Sequence, residues 1–249
     1  VSICFAFITN GNSDNFLEQG IESVLKQSLP DCEIVVVGNT SLKHPKVTFI
    51  PFDESLRKSW ITRKKNLVAE TSQKDVLVIM HDYFALTEEW THQKVQNLLD
   101  ASWDVAVTAI LNPDGSRYRD WLLWPFSHRL LRTPFVYTLG NLLPYRVNDL
   151  TDFMYINGSL MIVRRKYLLD NPLDESRGWG EGEDVEWSIR LRDRWNLKFF
   201  SSLAISCLKQ KDTAFRKIDP ISLLIIRLYA QVYRRISLGL KRRLRIPYR

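Results

Sequence analysis

Four short apolar runs in the first eighty residues restrict what this chain can build. Ser2 to Ile8, Glu33 to Gly38, Lys46 to Pro51 and Asp75 to Met80 carry Val, Ile, Leu and Phe with few polar interruptions, and turn residues bound them. Such runs are the pattern of strands buried on both faces. Between the first two, Leu17, Ile21, Val24 and Leu25 recur at helical spacing, with Ser13 or Asp14 as cap and Pro30-Asp31 as stop. Trp60 to Thr71 reads as a second helix, and it carries Arg63, Lys64, Lys65 and Asn66. Thr87, ahead of Glu88 and Glu89, is expected to cap a third. Strand, helix, strand, strand, helix, strand predicts an α/β fold: a mostly parallel sheet flanked by helices. Ligands of such sheets sit beyond the carboxyl ends of the strands. Asn10, Asn39 and the pair His81-Asp82 fall at three of those ends.

A second run, in the other half of the chain, points to chemistry. Gly178-Trp179-Gly180-Glu181-Gly182-Glu183-Asp184-Val185-Glu186 crowds three glycines, a tryptophan and four carboxylates into one stretch. Val185 and Ile189, with Arg190, Arg192 and Arg194, continue it as an amphipathic helix. Acids in a first turn complement the helix dipole. That alone does not account for the glycines, which let the backbone turn sharply and a ligand come close. Asp82, a carboxylate at the mouth of a parallel sheet, is placed to hold a divalent cation that neutralises a diphosphate. Arg63, Lys64 and Lys65 either face the same mouth or form a solvated helix face.

Charge is unevenly spread. The 249 residues carry a formal +7, yet Arg216 to Arg249 holds ten Lys or Arg and one acid, so the first 215 residues sit near −2. Ile221, Leu224, Ile225, Leu228 and Val232 make this tail amphipathic, and Arg227, Arg234 and Arg235 interrupt it too often for a bilayer span. It is expected to lie on an anionic membrane surface or to pack on the domain; its sparse aromatics argue against nucleic acid. Cys4, Cys32 and Cys207 are odd in number and lack metal spacing. A reducing compartment follows, and with the tail a cytoplasmic location at the inner face of a membrane is expected. Between Asn112 and Arg146, Trp121, Trp124, Phe126, Phe135, Tyr137 and Tyr145 alternate with Arg117, Arg119, Arg129 and Arg132. Aromatic faces stack on sugars and arginines hold acidic groups, so this is an acceptor platform or an insertion burying its own aromatics.

The order of elements and these motifs resemble the GT-A nucleotide-sugar glycosyltransferases, family 2 in particular, over about residues 1 to 210. The resemblance rests on Ile8-Thr9-Asn10 after the first strand, on Arg63-Lys64-Lys65-Asn66, and on Met80-His81-Asp82 at the place of the Asp-X-Asp metal signature. It rests also on the polar-Gly-Ser strand Asn157-Gly158-Ser159-Leu160-Met161, and on Trp179-Gly180 with Gly182-Glu183-Asp184-Val185-Glu186 at the place of Trp-Gly-Gly-Glu-Asp. It implies a GT-A (Rossmann-like) domain whose residues 1–100 bind the nucleotide sugar and 101–212 the acceptor, followed by the helical tail 213–249. It implies donor contacts at Ile8, Thr9, Asn10, Asn39, Lys65, Asn66, His81 and Asp82. Asp82 would bind Mn2+ or Mg2+. The acceptor, a glycan or a lipid-linked sugar, would meet Gly158, Ser159, Trp179, Gly180 and Glu183. Asp184 would be the general base of an inverting transfer. The chain departs from the family in three places. Gly38-Asn39 replaces an Asp-Asp pair, the metal signature keeps only its last acid, and Lys209 stands near a customary histidine, where it is able to neutralise phosphate directly. A catalytically silent carbohydrate-binding scaffold and a nucleotidyltransferase are the competing classes.

Overall fold

A computed structural model describes residues 2–123, 154–191, 194–211 and, in the C-terminal segment, residues 221, 224, 225, 227, 228, 231, 232 and 235. The expected platform residues from Trp124 to Tyr145 and most of the 213–249 tail lie outside the described residues.

The chain runs β1 (Ile3–Ile8), α1 (Asp14–Lys26), β2 (Cys32–Val37), β3 (Thr48–Ile50), α2 (Ile61–Thr71) and β4 (Val76–His81). Then follow β5 (Phe84–Leu86), α3 (His92–Asp100), β6 (Val105–Leu111), β7 (Trp121–Leu123), β8 (Met154–Ile156), β9 (Leu160–Arg164), α4 (Arg165–Asp170), α5 (Glu183–Leu191) and β10 (Leu197–Cys207). The main sheet has eight strands in the order β3-β2-β1-β4-β9-β6-β10-β5, and β7 pairs with β8 apart from it. The four apolar runs form its parallel half: β1 lies between β2 and β4, parallel to both, and β3 extends the edge. β9 enters antiparallel between β4 and β6. β10 runs parallel to β6 and antiparallel to β5.

Alternation along β1 explains why this half is stable. Cys4, Ala6 and Ile8 point to one face, where they join Val68 and Ala69 of α2 and Trp187 and Leu191 of α5. Ile3, Phe5 and Phe7 point to the other, against Leu17, Ile21 and Val24 of α1 and Val95 and Leu98 of α3. A strand covered on both faces has no polar side to offer, so its sequence reads as a continuous apolar run.

Two local expectations change. Thr91, not Thr87, caps α3: its side chain accepts from the Lys94 backbone N–H. The Thr87 hydroxyl instead has the Glu89 carboxylate and the Ala204 carbonyl as acceptors within hydrogen-bond reach, which ties the β5 end to β10. Asn157 to Ser159 forms a turn rather than strand, and β9 begins at Leu160. No described helix is long and apolar enough to cross a membrane.

Candidate active site

The carboxyl ends of β1 and β4 open into a cavity of about 440 Å³. Its floor is a set of backbone and side-chain bonds between the two strand ends. The Asp82 N–H donates to the Ile8 carbonyl. The Thr9 hydroxyl donates to Asp82 Oδ2 at 2.8 Å and accepts from the Gly11 N–H at 3.0 Å. Burial pushes the Asp82 carboxyl above its ordinary value, and the Thr9 hydroxyl opposes that. Next to it, burial and then the charges of Lys65, Lys211, Lys209 and Lys64 push the His81 imidazole down to about 3. The ring is therefore neutral, and among the described residues its buried Nε2 has no hydrogen-bond partner.

The acidic loop reaches the same cavity at Trp179. Gly180 and Gly182 sit at φ of +81° and +70°, which only glycine adopts without strain, and they swing the chain into α5. Arg57 fastens the loop by donating to the carbonyls of Glu175 and Ser176 and to Glu181. The Trp179 N–H donates to the Ser59 carbonyl, and its indole stands 68% exposed on the cavity rim. At the start of α5, Glu183 is buried and pairs with the Lys65 ammonium at 3.2 Å. Asp184 Oδ2 accepts from the Gly158 N–H at 2.8 Å, and Oδ1 from the Val185 N–H at 2.8 Å. Burial and then the neighbouring Glu183 raise the Asp184 carboxyl, against the Gly158 N–H and Lys65, which lower it.

The predicted residues thus fall into two sets. Ile8, Thr9, Asn10, His81, Asp82 and Trp179 share the cavity, together with Lys209. Gly158, Ser159, Glu183 and Asp184 do not line it. The turn holding Gly158 joins the sets, because the Ser159 carbonyl accepts from the His81 N–H while the Gly158 N–H donates to Asp184. Asn39 is exposed beside Gly11, and Gly180 is exposed with open space around it; neither lines the cavity.

Two residues expected at the donor, Lys65 and Asn66, do not line the cavity. Lys65 is 1% exposed and spends its charge on Glu183 instead of lining the cavity. Asn66 donates to the Leu173 carbonyl and to Glu175, and accepts from the Leu173 N–H, so its amide holds the 173–175 segment. The cause is helical geometry: successive residues of α2 point about 100° apart, so one of the three faces the cavity. That one is Lys64, which donates to the Thr9 carbonyl at 2.7 Å and pairs with Glu54. Sequence reasoning missed Lys211 and Tyr83, which also line the cavity. The available signal was the Lys209-X-Lys211 spacing, which puts both side chains on one side of an extended segment.

A divalent cation at Asp82 was the expected cofactor. Asp82 and the unpartnered His81 nitrogen are candidate donors, but no group of three His, Cys, Asp or Glu side chains gathers among the described residues. Lys64, Lys209 and Lys211 flank the same cavity and would repel a cation. The described donor set does not fit a protein-built metal site.

No protein-family model and no curated protein sequence matches the chain. Solved structures share its fold. Residues 1–349 of S. aureus TarS are 13% identical with a TM-score of 0.54, over 83% of this chain and 60% of that one. The same fragment in complex with UDP gives 13% and 0.53. GalNAc-T7, solved with UDP, GalNAc and Mn2+, is 15% identical with a TM-score of 0.56, over 85% of this chain and 44% of that one. The chain therefore spans 60% or less of the length of these neighbours. What they have in common with it is the GT-A glycosyltransferase fold.

Proposed function

We propose that this chain is a glycosyltransferase that moves a sugar from a nucleoside-diphosphate donor to an acceptor hydroxyl, with inversion at the anomeric carbon. One observation carries the reading. A cationic cavity at the carboxyl ends of parallel strands is joined, through the turn at Gly158 and Ser159, to a pair of acids, buried Glu183 and half-buried Asp184, on a GT-A fold. Ligands of doubly wound sheets sit at this end of the strands.

The chemistry divides between the two sets of residues. The cavity holds the donor, with its diphosphate toward Thr9, Asp82 and the lysines. Asp184 removes the acceptor proton as the acceptor oxygen bonds to the anomeric carbon and the bond to the diphosphate oxygen breaks. A carboxyl raised by burial and by Glu183 is a stronger base than an exposed aspartate, which suits that role. Lys65 pins Glu183, and the Gly158 N–H aims the Asp184 carboxylate. Trp179, exposed on the rim, offers an aromatic face to a sugar ring.

The acceptor in this reading is a glycan or a lipid-linked sugar, and the pathway one of polysaccharide or glycoconjugate synthesis. Support for a peripheral membrane contact comes from the tail: Ile221, Leu224, Ile225, Leu228 and Val232 are helical, spaced to one side, and largely exposed. The test is nucleoside-diphosphate release from a panel of nucleotide sugars by wild type and Asp184→Asn, with donor binding followed by calorimetry. Wild type should turn over a donor, and the variant should bind it and release nothing. Wild-type turnover in the variant removes Asp184 from the role. Absence of any nucleotide binding leaves a scaffold on the GT-A fold.

A further inference from the structure

The end of β10 brings two lysines to the donor cavity in an unusual way. The Leu208 N–H donates to the Tyr83 carbonyl, which stitches the strand end to the β4–β5 turn. The Lys209 and Lys211 ammonium groups then lie 4.6 Å and 4.0 Å from the centre of the Tyr83 ring. The segment is held from outside as well. The Lys211 N–H donates to Asn112 Oδ1 at 3.0 Å, and Gln210 to Asp114 at 3.0 Å. Lys64 spends its charge on Glu54 and the Thr9 carbonyl, but among the described residues neither Lys209 nor Lys211 has a carboxylate within 4.0 Å.

Two cations fixed over one ring, at the wall of one cavity, repel each other. A protein gains from such an arrangement when a polyanion completes it. The same arrangement opposes a divalent cation, and among the described residues no group of three His, Cys, Asp or Glu side chains gathers to hold one. We propose that Lys209 and Lys211 form a diphosphate-binding subsite that stabilises the departing nucleoside diphosphate with ammonium charge in place of a divalent metal. This rests on the reading of the cavity as a nucleotide-sugar site. As the sugar–oxygen bond breaks, the electron pair stays on the β-phosphate oxygen. The two ammonium groups donate hydrogen bonds to the phosphate oxygens, and the Tyr83 ring keeps them in place beforehand.

The experiment titrates UDP and inorganic pyrophosphate into the full chain by calorimetry, in EDTA and again in Mn2+, for wild type, Lys209→Ala/Lys211→Ala and Lys209→Arg/Lys211→Arg. Each lost charge-assisted hydrogen bond weakens binding about tenfold or more, so the double alanine variant should bind pyrophosphate roughly 100-fold more weakly in EDTA. The double arginine variant keeps the charge and should keep most of the affinity. The subsite is overturned if either probe binds wild type only with Mn2+, or if the double alanine variant binds as wild type does in EDTA. Turnover of nucleotide sugars that requires Mn2+ sinks the subsite and leaves the glycosyltransferase reading standing. Lysine-dependent pyrophosphate binding without turnover of any nucleotide sugar does the reverse.

Discussion

Gly158 is where the backbone comes closest to the two acids, and Gly158→Ala tests whether that closeness matters. A Cβ at this position would lie 2.7 Å from Glu183 Oε1, 3.0 Å from Asp184 Cβ and 3.1 Å from Asp184 Oδ2. The Gly158 backbone is not left-handed, so alanine adds contact without backbone strain. Attractive contacts begin near 3.5 Å, so Glu183 must retreat by about 0.8 Å and Asp184 by about half an ångström. Neither does so freely. Glu183 is tied to Lys65, and Asp184 is tied to the N–H of Gly158 itself. Overpacking of this kind costs about 1–3 kcal/mol. A base displaced by up to about 1 Å loses as much as 100-fold in rate. We therefore expect the urea midpoint to fall by the equivalent of about 1–3 kcal/mol and kcat to fall about 10- to 100-fold. Donor Kd should stay within about threefold, because Gly158 is not a wall of the cavity. Gly115→Ala is the control: it meets open space at φ +77°, so it should cost stability alone. Unchanged kcat and urea midpoint in Gly158→Ala would refute the proposed contact between this turn and the acids.

Two further outcomes follow from the same geometry. As a base, Asp184 must be ionised, and its carboxyl is raised, so the acidic limb of kcat/KM should lie above the ordinary aspartate value of 3.8. Glu183→Gln removes a neighbouring negative charge that raises it and leaves the Lys65 cation beside it; the limb should move to lower pH, and a shift to higher pH would contradict this electrostatic account. The same change strands a buried lysine at a cost of about 3–5 kcal/mol, part of which Lys65→Met in the same chain should recover in urea melts. Asn66→Ala breaks the bonds to Leu173 and Glu175 and should lower stability by about 1–3 kcal/mol while donor Kd stays within about twofold; a large loss of donor affinity at unchanged stability would return Asn66 to the donor site.

The parallel half of the sheet was legible because each strand announces itself locally. β1, β2 and β4 are covered on both faces, and that coverage writes an apolar run into the chain. The insertion of β9 between β4 and β6 was not legible, since Leu160–Arg164 pairs with residues more than fifty positions upstream and no turn signal marks the pairing. The site divides along the same line. Asp82 and Asp184 are singled out by where they stand, one at a strand end and one at a helix start after glycines. The contact that Lys65 makes was not legible because a motif treats neighbouring positions as a unit, whereas a helix turns each of them to a different side. Its ion pair with Glu183 joins positions 118 residues apart. A buried lysine and a buried glutamate each look unfavourable alone, and only their contact across the fold makes both tolerable. That contact also decides the electrostatics of Asp184: the cation that lowers its carboxyl and the acid that raises it belong to one pair. A substitution at Lys65 should thus act on the base both directly and through Glu183, which no motif over residues 63 to 66 conveys.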